Sequence, residues 1–351
     1  MIKRMMALAL SLMLVLTACG GDSKKASEDG ERKLTIYSNS LTSGRNEWMS
    51  KKAKDELDMD LEFVDAGGGD IFNRVLAEKG SPIADIVFGL DESMFFQLKD
   101  EDILVEYEPS WVKDVPEEAV IGDGYFYPLV EQRIFMIYNP EFVDVADVPE
   151  KWEDLATMEN YQGKYRVPSD LAGGTNQKSV LSILLQYQDE NGELDISQEG
   201  WDQVEAFLAN GYKTPESENQ DQNFKDGKVP ISFTYISNVP KIEEEYGFKA
   251  EVINPSYGVI TMREEIGIVN KGEDTKKELC QEFIDWFGSG EVQGEWAKEF
   301  GSLPVNEEAL EKGAHERVKE IAKNTTPMNV DWNFVREHLS DWIEKVELDL
   351  Y

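Results

Sequence analysis

The amino-acid sequence predicts a doubly wound α/β fold, arranged as two domains or one bilobed body. Three observations carry that expectation. Segments with strand and helix signatures alternate along the chain, the pattern of sheets covered by helices on both faces. The run Asp85 to Leu90 is nearly continuous in apolar residues, as in a strand buried on both sides of a parallel sheet. The 351 residues, 41% of them hydrophobic, are also more than a single small core requires once a leader is removed.

The leader comes first. Lys3 and Arg4 precede an apolar run from Met5 to Leu16 that is too short to cross a bilayer and closes on Leu16-Thr17-Ala18-Cys19. Residues 1–18 therefore read as a secretory signal peptide. The order Leu, small, small, Cys resembles a bacterial lipoprotein box, which makes Cys19 the expected lipidation site. Residues 19–32 are polar and without periodicity, a flexible tether. The body is thus expected at the cell membrane, lipid-anchored, facing the extracellular or periplasmic side.

In the body, Lys33 to Ser38 is a strand ending on Ser38-Asn39-Ser40, and open α/β sheets bind ligands where strands release such small polar side chains. A helix with Trp48 and Leu57, a strand Leu61 to Asp65 and the glycines 67–69 follow, with Asp70 expected as an N-cap and Gly80 as a stop. The three glycines are an incomplete dinucleotide fingerprint, because Phe72 stands where a third spaced glycine is needed. Asp85 to Leu90 ends at Asp91-Glu92-Ser93. Trp201, Val204 and Leu208 form a helical stripe closed by Asn210-Gly211, and Tyr212 to Asn223 reads as an exposed loop. Val335, Leu339, Trp342, Ile343 and Val346 share one face of a packing helix near the C-terminal end.

The stretch Tyr165 to Tyr187 is the most suggestive. A short strand (Tyr165, Arg166, Val167) leads through Leu171-Ala172-Gly173-Gly174-Thr175-Asn176 into an apolar helix expected from Gln177 onward. Glycines let the backbone approach a ligand, Thr175 is a candidate cap for the orphan N–H groups, and the helix dipole puts partial positive charge there. Such an end suits phosphate, phosphonate or carboxylate. A plain capped turn is the alternative reading of the same residues.

Composition narrows the classes. Asp and Glu number 70 against 35 Lys and Arg, a formal net charge of −35, which makes nucleic acid and anionic membrane surfaces poor partners. Apart from Cys19 the chain has Cys280 alone, set among Leu279, Phe283 and Ile284 as an expected core thiol. No Gly-x-Ser-x-Gly, His-Glu-x-x-His or phosphate-loop lysine motif is present, so no enzyme is expected and no cofactor is assigned.

Taken in order, Leu34-Thr-Ile-Tyr-Ser, Leu61-Glu-Phe-Val with its glycine turn, Ala84-Asp-Ile-Val-Phe-Gly-Leu-Asp, Ile137-Tyr-Asn-Pro-Glu, Val148-Pro-Glu-Lys-Trp-Glu-Asp-Leu, Ile231-Ser-Phe-Thr-Tyr, Ile266-Gly-Ile-Val-Asn-Lys-Gly and Phe300-Gly-Ser-Leu-Pro-Val-Asn resemble the type II substrate-binding proteins of bacterial ABC importers, of the ferric iron, thiamine and phosphonate-binding group. The resemblance implies two doubly wound α/β domains joined by strands crossing near residues 126–138 and 257–269. Domain one would comprise residues 33–130 and 258–315, domain two residues 131–257 and 316–351, with a small-molecule solute held between them. It further implies a monomer that delivers its solute to a membrane permease.

By the same resemblance the expected ligand-binding residues are Ser38, Asn39, Ser40, Asp91, Gly174, Thr175, Asn176 and Tyr235, with no metal ligand assigned. Where iron-binding relatives place adjacent tyrosines, this chain has Thr234-Tyr235-Ile236. A thiamine cage would draw on Tyr37, Trp48 and Tyr235. The hydroxyl- and amide-rich set instead favours a small phosphate- or phosphonate-type anion. Arg133 and Arg263 are candidates for added charge. Ferric iron and thiamine stay as alternatives, as does a surface lipoprotein serving as an adhesin or sensor input.

Overall fold

A computed structural model describes residues 32–171 and 173–351, so the leader, most of the tether and Cys19 lie outside the described residues. The chain opens with β1 (Lys33–Ser38), α1 (Arg45–Leu57), β2 (Asp60–Asp65), α2 (Gly68–Ala77), β3 (Ile86–Phe88), α3 (Glu92–Asp100) and β4 (Leu104–Val105). Strand β1 pairs in parallel with β2 on one side and β3 on the other. Alternate side chains of a strand point to opposite faces, and here both faces are buried. Leu34, Ile36, Ile86 and Phe88 enter one core cluster, whereas Tyr37 and Val87 enter another. That double coverage is what the unbroken apolar run of β3 reported.

Two long strands, β5 (Tyr127–Tyr138) and, further on, β11 (Ile260–Val269), tie the body together. Between them come α4 (Trp152–Thr157), β6 (Arg166–Val167), α5 (Gly174–Leu184), β7 (Gln188–Glu193), α6 (Gln198–Asn210), β8 (Tyr212–Lys213), α7 (Gln220–Lys225), β9 (Ile231–Tyr235), α8 (Val239–Tyr246) and β10 (Glu251–Ile253). After β11 follow α9 (Lys277–Phe287), α10 (Gly290–Phe300), β12 (Leu303–Pro304), α11 (Glu307–Lys312), α12 (Glu316–Asn324) and α13 (Trp332–Lys345).

Strands β5 and β11 are antiparallel partners from Ile134↔Ile260 to Tyr127↔Ile266, with a register shift between Glu264 and Glu265. One end of each strand belongs to the cluster that holds Leu34 and Ile86, through Tyr127, Leu129, Ile266 and Ile268. Their other ends, Met136 and Ile260, belong to the cluster around α5 and α6, and Phe135 and Ile137 to a fourth core beneath α8 and α12. The strands therefore pass from one lobe into the other. Their middles are mostly polar: Glu131, Gln132 and Arg133 face Arg263, Met262 and Thr261 in register, with Met262 the one apolar member.

The first core is stiffened by aromatic edges. Phe88, Phe287 and Trp296 meet in T-shaped pairs with centroids 5.3 Å apart for Phe88–Phe287 and for Phe287–Trp296. Such pairs add about 0.5–1.5 kcal/mol each beyond the area they bury. Cys280 is fully buried beside them, and burial raises its thiol to about 12, the inert thiol expected.

Three local expectations are corrected. Helix α2 begins at Gly68 with Gly67 as its N-cap, so Asp70 lies inside the first turn, and the helix ends at Ala77 before Gly80 is reached. The polar stretch Tyr212 to Asn223 holds β8 and most of α7; Asn219 caps α7 by accepting from the N–H groups of Asp221 and Gln222. Helix α5 starts at Gly174, three residues before Gln177, and Gly173 caps it without a side-chain hydrogen bond, so Thr175 is not the cap.

Candidate functional site

Between the lobes lies a cavity of about 630 Å³. One wall carries Asn39, Gly68, Gly69 and Asp91, and the opposite wall Gly174, Gln177 and Lys178; Met262 of β11 lines it as well. Two helix starts therefore open into it, that of α2 from the first lobe and that of α5 from the second. Ile71 donates to the Gly67 carbonyl (2.9 Å) and Gln177 to that of Gly173 (3.1 Å) as the first bonds of their helices. The N–H groups of residues 68–70 and 174–176 thus have no intrahelical acceptor and lie at the positive ends of helix dipoles.

The approach of Asn39 to this wall depends on glycine. Gly89 sits at φ +95°, and a Cβ there would stand 2.6 Å from Asn39 Oδ1 and 2.9 Å from Ser40 Oγ. A Cβ on Gly68 would lie 3.0 Å from Asn39 Nδ2. Asn39 Oδ1 is buried with no hydrogen-bond partner, an unsatisfied acceptor on the cavity wall.

Lys178 supplies the charge. It is 3% exposed, and its Nζ lies 3.9 Å from Asp91 Oδ2 and 5.7 Å from the centre of the Trp332 ring. Asp91 caps α3: its Oδ1 accepts from Ser93 Oγ (2.7 Å) and the Met94 N–H (3.2 Å), leaving Oδ2 turned to the lysine. Behind it is a buried acidic group. Glu92 is raised to about 7 by burial and then by the Asp91 charge, and Glu265, wholly buried with neither carboxylate oxygen hydrogen-bonded, is raised well above the usual range by burial and by Glu92. Arg263 stands 3.7 Å from both Glu92 and Glu131, a structural position rather than one on the cavity wall. Arg133 is likewise committed to the Thr325 carbonyl and hydroxyl, the Ala322 carbonyl and Glu131.

Of the expected residues, Asn39, Asp91 and Gly174 line this cavity. Ser38 is fully buried under it, its Oγ accepting from the Ser40 N–H (3.0 Å). Thr175 is half-buried on the first turn of α5. The Asn176 side chain is held from both ends, accepting from Arg166 Nη2 (3.1 Å) and donating to the Asp170 carbonyl (3.0 Å). Arg166 also donates to the Phe233 carbonyl (3.0 Å), and its burial lowers it to about 10. Tyr235, at the end of β9, is 38% exposed; burial raises its phenol and the nearby Arg45 opposes the shift. Ser40 and Gln132 hydrogen-bond Glu264, whose carboxyl burial raises.

Sequence reading missed Lys178, although its spacing of four from Gly174 puts both on one helical face. It also missed the part played by α13 and the π turn Val346–Leu350, whose Leu339, Ile343, Glu344 and Glu347 line the cavity while Val335, Trp342 and Val346 pack inward. Glu347 accepts from the Leu171 N–H (3.3 Å), ahead of α5.

The family model described as bacterial extracellular solute-binding protein matches residues 48–326. The chain belongs to that family. This solute-binding protein is 32% identical over 317 residues to the probable ABC transporter periplasmic-binding protein y4fP of Sinorhizobium fredii, covering 90% of this chain and 86% of that one. It is 25% identical over 174 residues, 48% of this chain and 47% of the other, to a putative 2-aminoethylphosphonate-binding periplasmic protein of Salmonella typhi. Iron-bound HitA from Pseudomonas aeruginosa superposes with a TM-score of 0.71 at 15% identity, over 90% of this chain and 99% of its own. The fold is thus that of type II periplasmic binding proteins with two domains, and the protein is the solute-binding component of an ABC transporter. Among the described residues no helix is long and apolar enough to cross a membrane.

Proposed function

We propose that this solute-binding protein captures a small anion of phosphate or phosphonate type between lobes formed by residues 33–130 with 258–315 and 131–257 with 316–351. On this reading it is a monomeric receptor and not a catalyst, held at the outer face of the cell membrane by lipid on Cys19, and it hands its solute to a membrane permease. The observation that carries the solute class is the convergence of two helix starts and the buried Lys178 on one cavity. The same cavity carries the carboxylates of Asp91, Glu344 and Glu347, so on this reading the helix-end N–H groups and Lys178 form a local anion site within an otherwise acidic lining. The name of the Salmonella typhi relative points the same way.

The ferric alternative would draw on phenolate ligands, and Tyr235 is followed by Ile236 where a second tyrosine would stand. The test is thermal unfolding and titration calorimetry with 2-aminoethylphosphonate, methylphosphonate and inorganic phosphate, alongside ferric citrate and thiamine. A ligand at a hundred times its dissociation constant adds about 2.7 kcal/mol of stability. Stabilisation by a phosphonate or phosphate is expected. Stabilisation by ferric citrate or thiamine alone would overturn the assignment.

A further inference from the structure

Arg45 stands apart in a chain with twice as many carboxylates as basic groups. Its Nε is buried with no hydrogen-bond partner, and none of the ion pairs among the described residues includes it. The guanidinium lies instead against rings, 5.3 Å from the centre of Phe300 and 5.9 Å from that of Trp296. Those rings are themselves fixed: Trp48 meets Trp296 edge-on at 5.5 Å and Phe300 at 6.1 Å, and Trp296 meets Phe300 at 4.7 Å. A backbone turn with positive φ at Ser43 (61°) and Gly44 (85°) delivers Arg45 to the first position of α1, just after the Ser38-Asn39-Ser40 segment.

What Arg45 faces gives the fixed charge a use. Burial raises both the Tyr235 phenol, at the end of β9, and the Glu264 carboxyl on β11, and the Arg45 charge opposes each shift. Burial raises Glu264, which Gln132 Nε2 (3.1 Å) and Ser40 engage by hydrogen bonds. The neighbouring carboxyl is therefore held by other donors rather than joined to the guanidinium. A planar donor fork braced on aromatic faces and lacking an acceptor matches an oxyanion. A donor left buried and unpaired is the costly state, and an incoming acceptor relieves it.

We propose that Arg45 is a solute-binding residue, and that it takes an oxyanionic group of the solute, phosphoryl, phosphonate or carboxylate, beside the Ser38-Asn39-Ser40 segment. This rests on the anion reading above and adds a contact remote in sequence from the α5 start. The solute is thereby gripped by a guanidinium of the first lobe as well as by helix-end amides.

The experiment uses the folded body with Arg45→Gln, which keeps a planar side chain against the rings, and Arg45→Lys, which keeps the charge without the fork. Calorimetry with methylphosphonate, 2-aminoethylphosphonate and phosphonoacetate is read beside urea denaturation of each unliganded variant. Arg45→Gln is expected to weaken binding at least tenfold with the unliganded denaturation midpoint retained, and Arg45→Lys to recover only part of the loss. A loss shared by all three probes assigns the phosphonate group to Arg45; a loss confined to phosphonoacetate assigns the carboxylate. Wild-type binding that Arg45→Gln leaves within twofold for every probe overturns the proposal alone. Wild type that binds none of the three overturns it together with the anion reading.

Discussion

Replacing Lys178 by methionine separates the two roles that the buried cation combines. At 3.9 Å and an effective dielectric constant of about 20, its gross attraction to Asp91 is about 4 kcal/mol, most of it offset by the desolvation of both groups. Loss of the lysine leaves Asp91 Oδ2 buried without compensation. Since Oδ1 keeps the Ser93 hydroxyl and the Met94 N–H, the penalty belongs at the lower end of the range for a broken buried pair, about 3 kcal/mol. Asparagine caps helices as well as aspartate, so Lys178→Met combined with Asp91→Asn should recover most of that stability. It should not recover solute binding. A lost charge-assisted hydrogen bond costs about 1.5–3 kcal/mol, or roughly ten- to 150-fold in affinity. Asp91→Asn alone should bind the anion at least as tightly as wild type, because a repulsive charge is gone. Urea denaturation reads the first effect and calorimetry with the phosphonate panel the second. If the double variant is stable and binds like wild type, Lys178 is a structural cation and the charge argument for the cavity fails.

Gly89→Ala should cost about 1–2 kcal/mol in the left-handed backbone alone and push Asn39 off the cavity wall, so both the denaturation midpoint and the affinity should fall; unchanged affinity would free Asn39 from any role. Glu92 is raised to about 7, so the folded state holds its proton more tightly than the unfolded chain does. Its contribution is complete below the unfolded value near 4.5 and declines as pH rises towards 7, and Glu92→Gln should flatten that slope in denaturation curves taken between pH 4.5 and 7.5. Cys19→Ala should leave an unprocessed, unacylated precursor, which a gel shift and labelled fatty acid uptake detect; a mutant processed and retained at the membrane like wild type would remove the lipid assignment.

How much was legible in the chain can be seen at α5. The glycine pair and the apolar residues after it located the helix and the end that opens into the cavity. The first turn was placed three residues late because Gly174, Thr175 and Asn176 bring no apolar side chain to mark the period, and a cap formed by glycine has no side-chain signature. Lys178 was hidden in the polar run Thr175 to Ser179, where a lysine reads as solvated surface, although a buried lysine is the very residue a functional reading needs. Helix α7 was missed for a similar reason: among its residues only Phe224 is buried, and one anchor shows no periodicity. Strands β5 and β11 were visible because their apolar ends are long. Their polar middles acquire meaning only in register, where Glu131 meets Arg263, and that pairing across 132 positions has no local trace. Arg45 was silent for the same cause, since Trp296 and Phe300 come from α10, about 250 residues away along the chain.

The pairing of β5 with β11 also bears on timing. The core around Leu34 and Ile86 stays open until Ile266, Phe283 and Trp296 have joined it, so more than two hundred residues separate its earliest parts from its latest. A chain closed by such distant contacts folds slowly. Slowness of this kind has a direction: the half made first cannot close its core until the residues from Ile266 onward have been synthesised, so binding competence waits for nearly the whole chain.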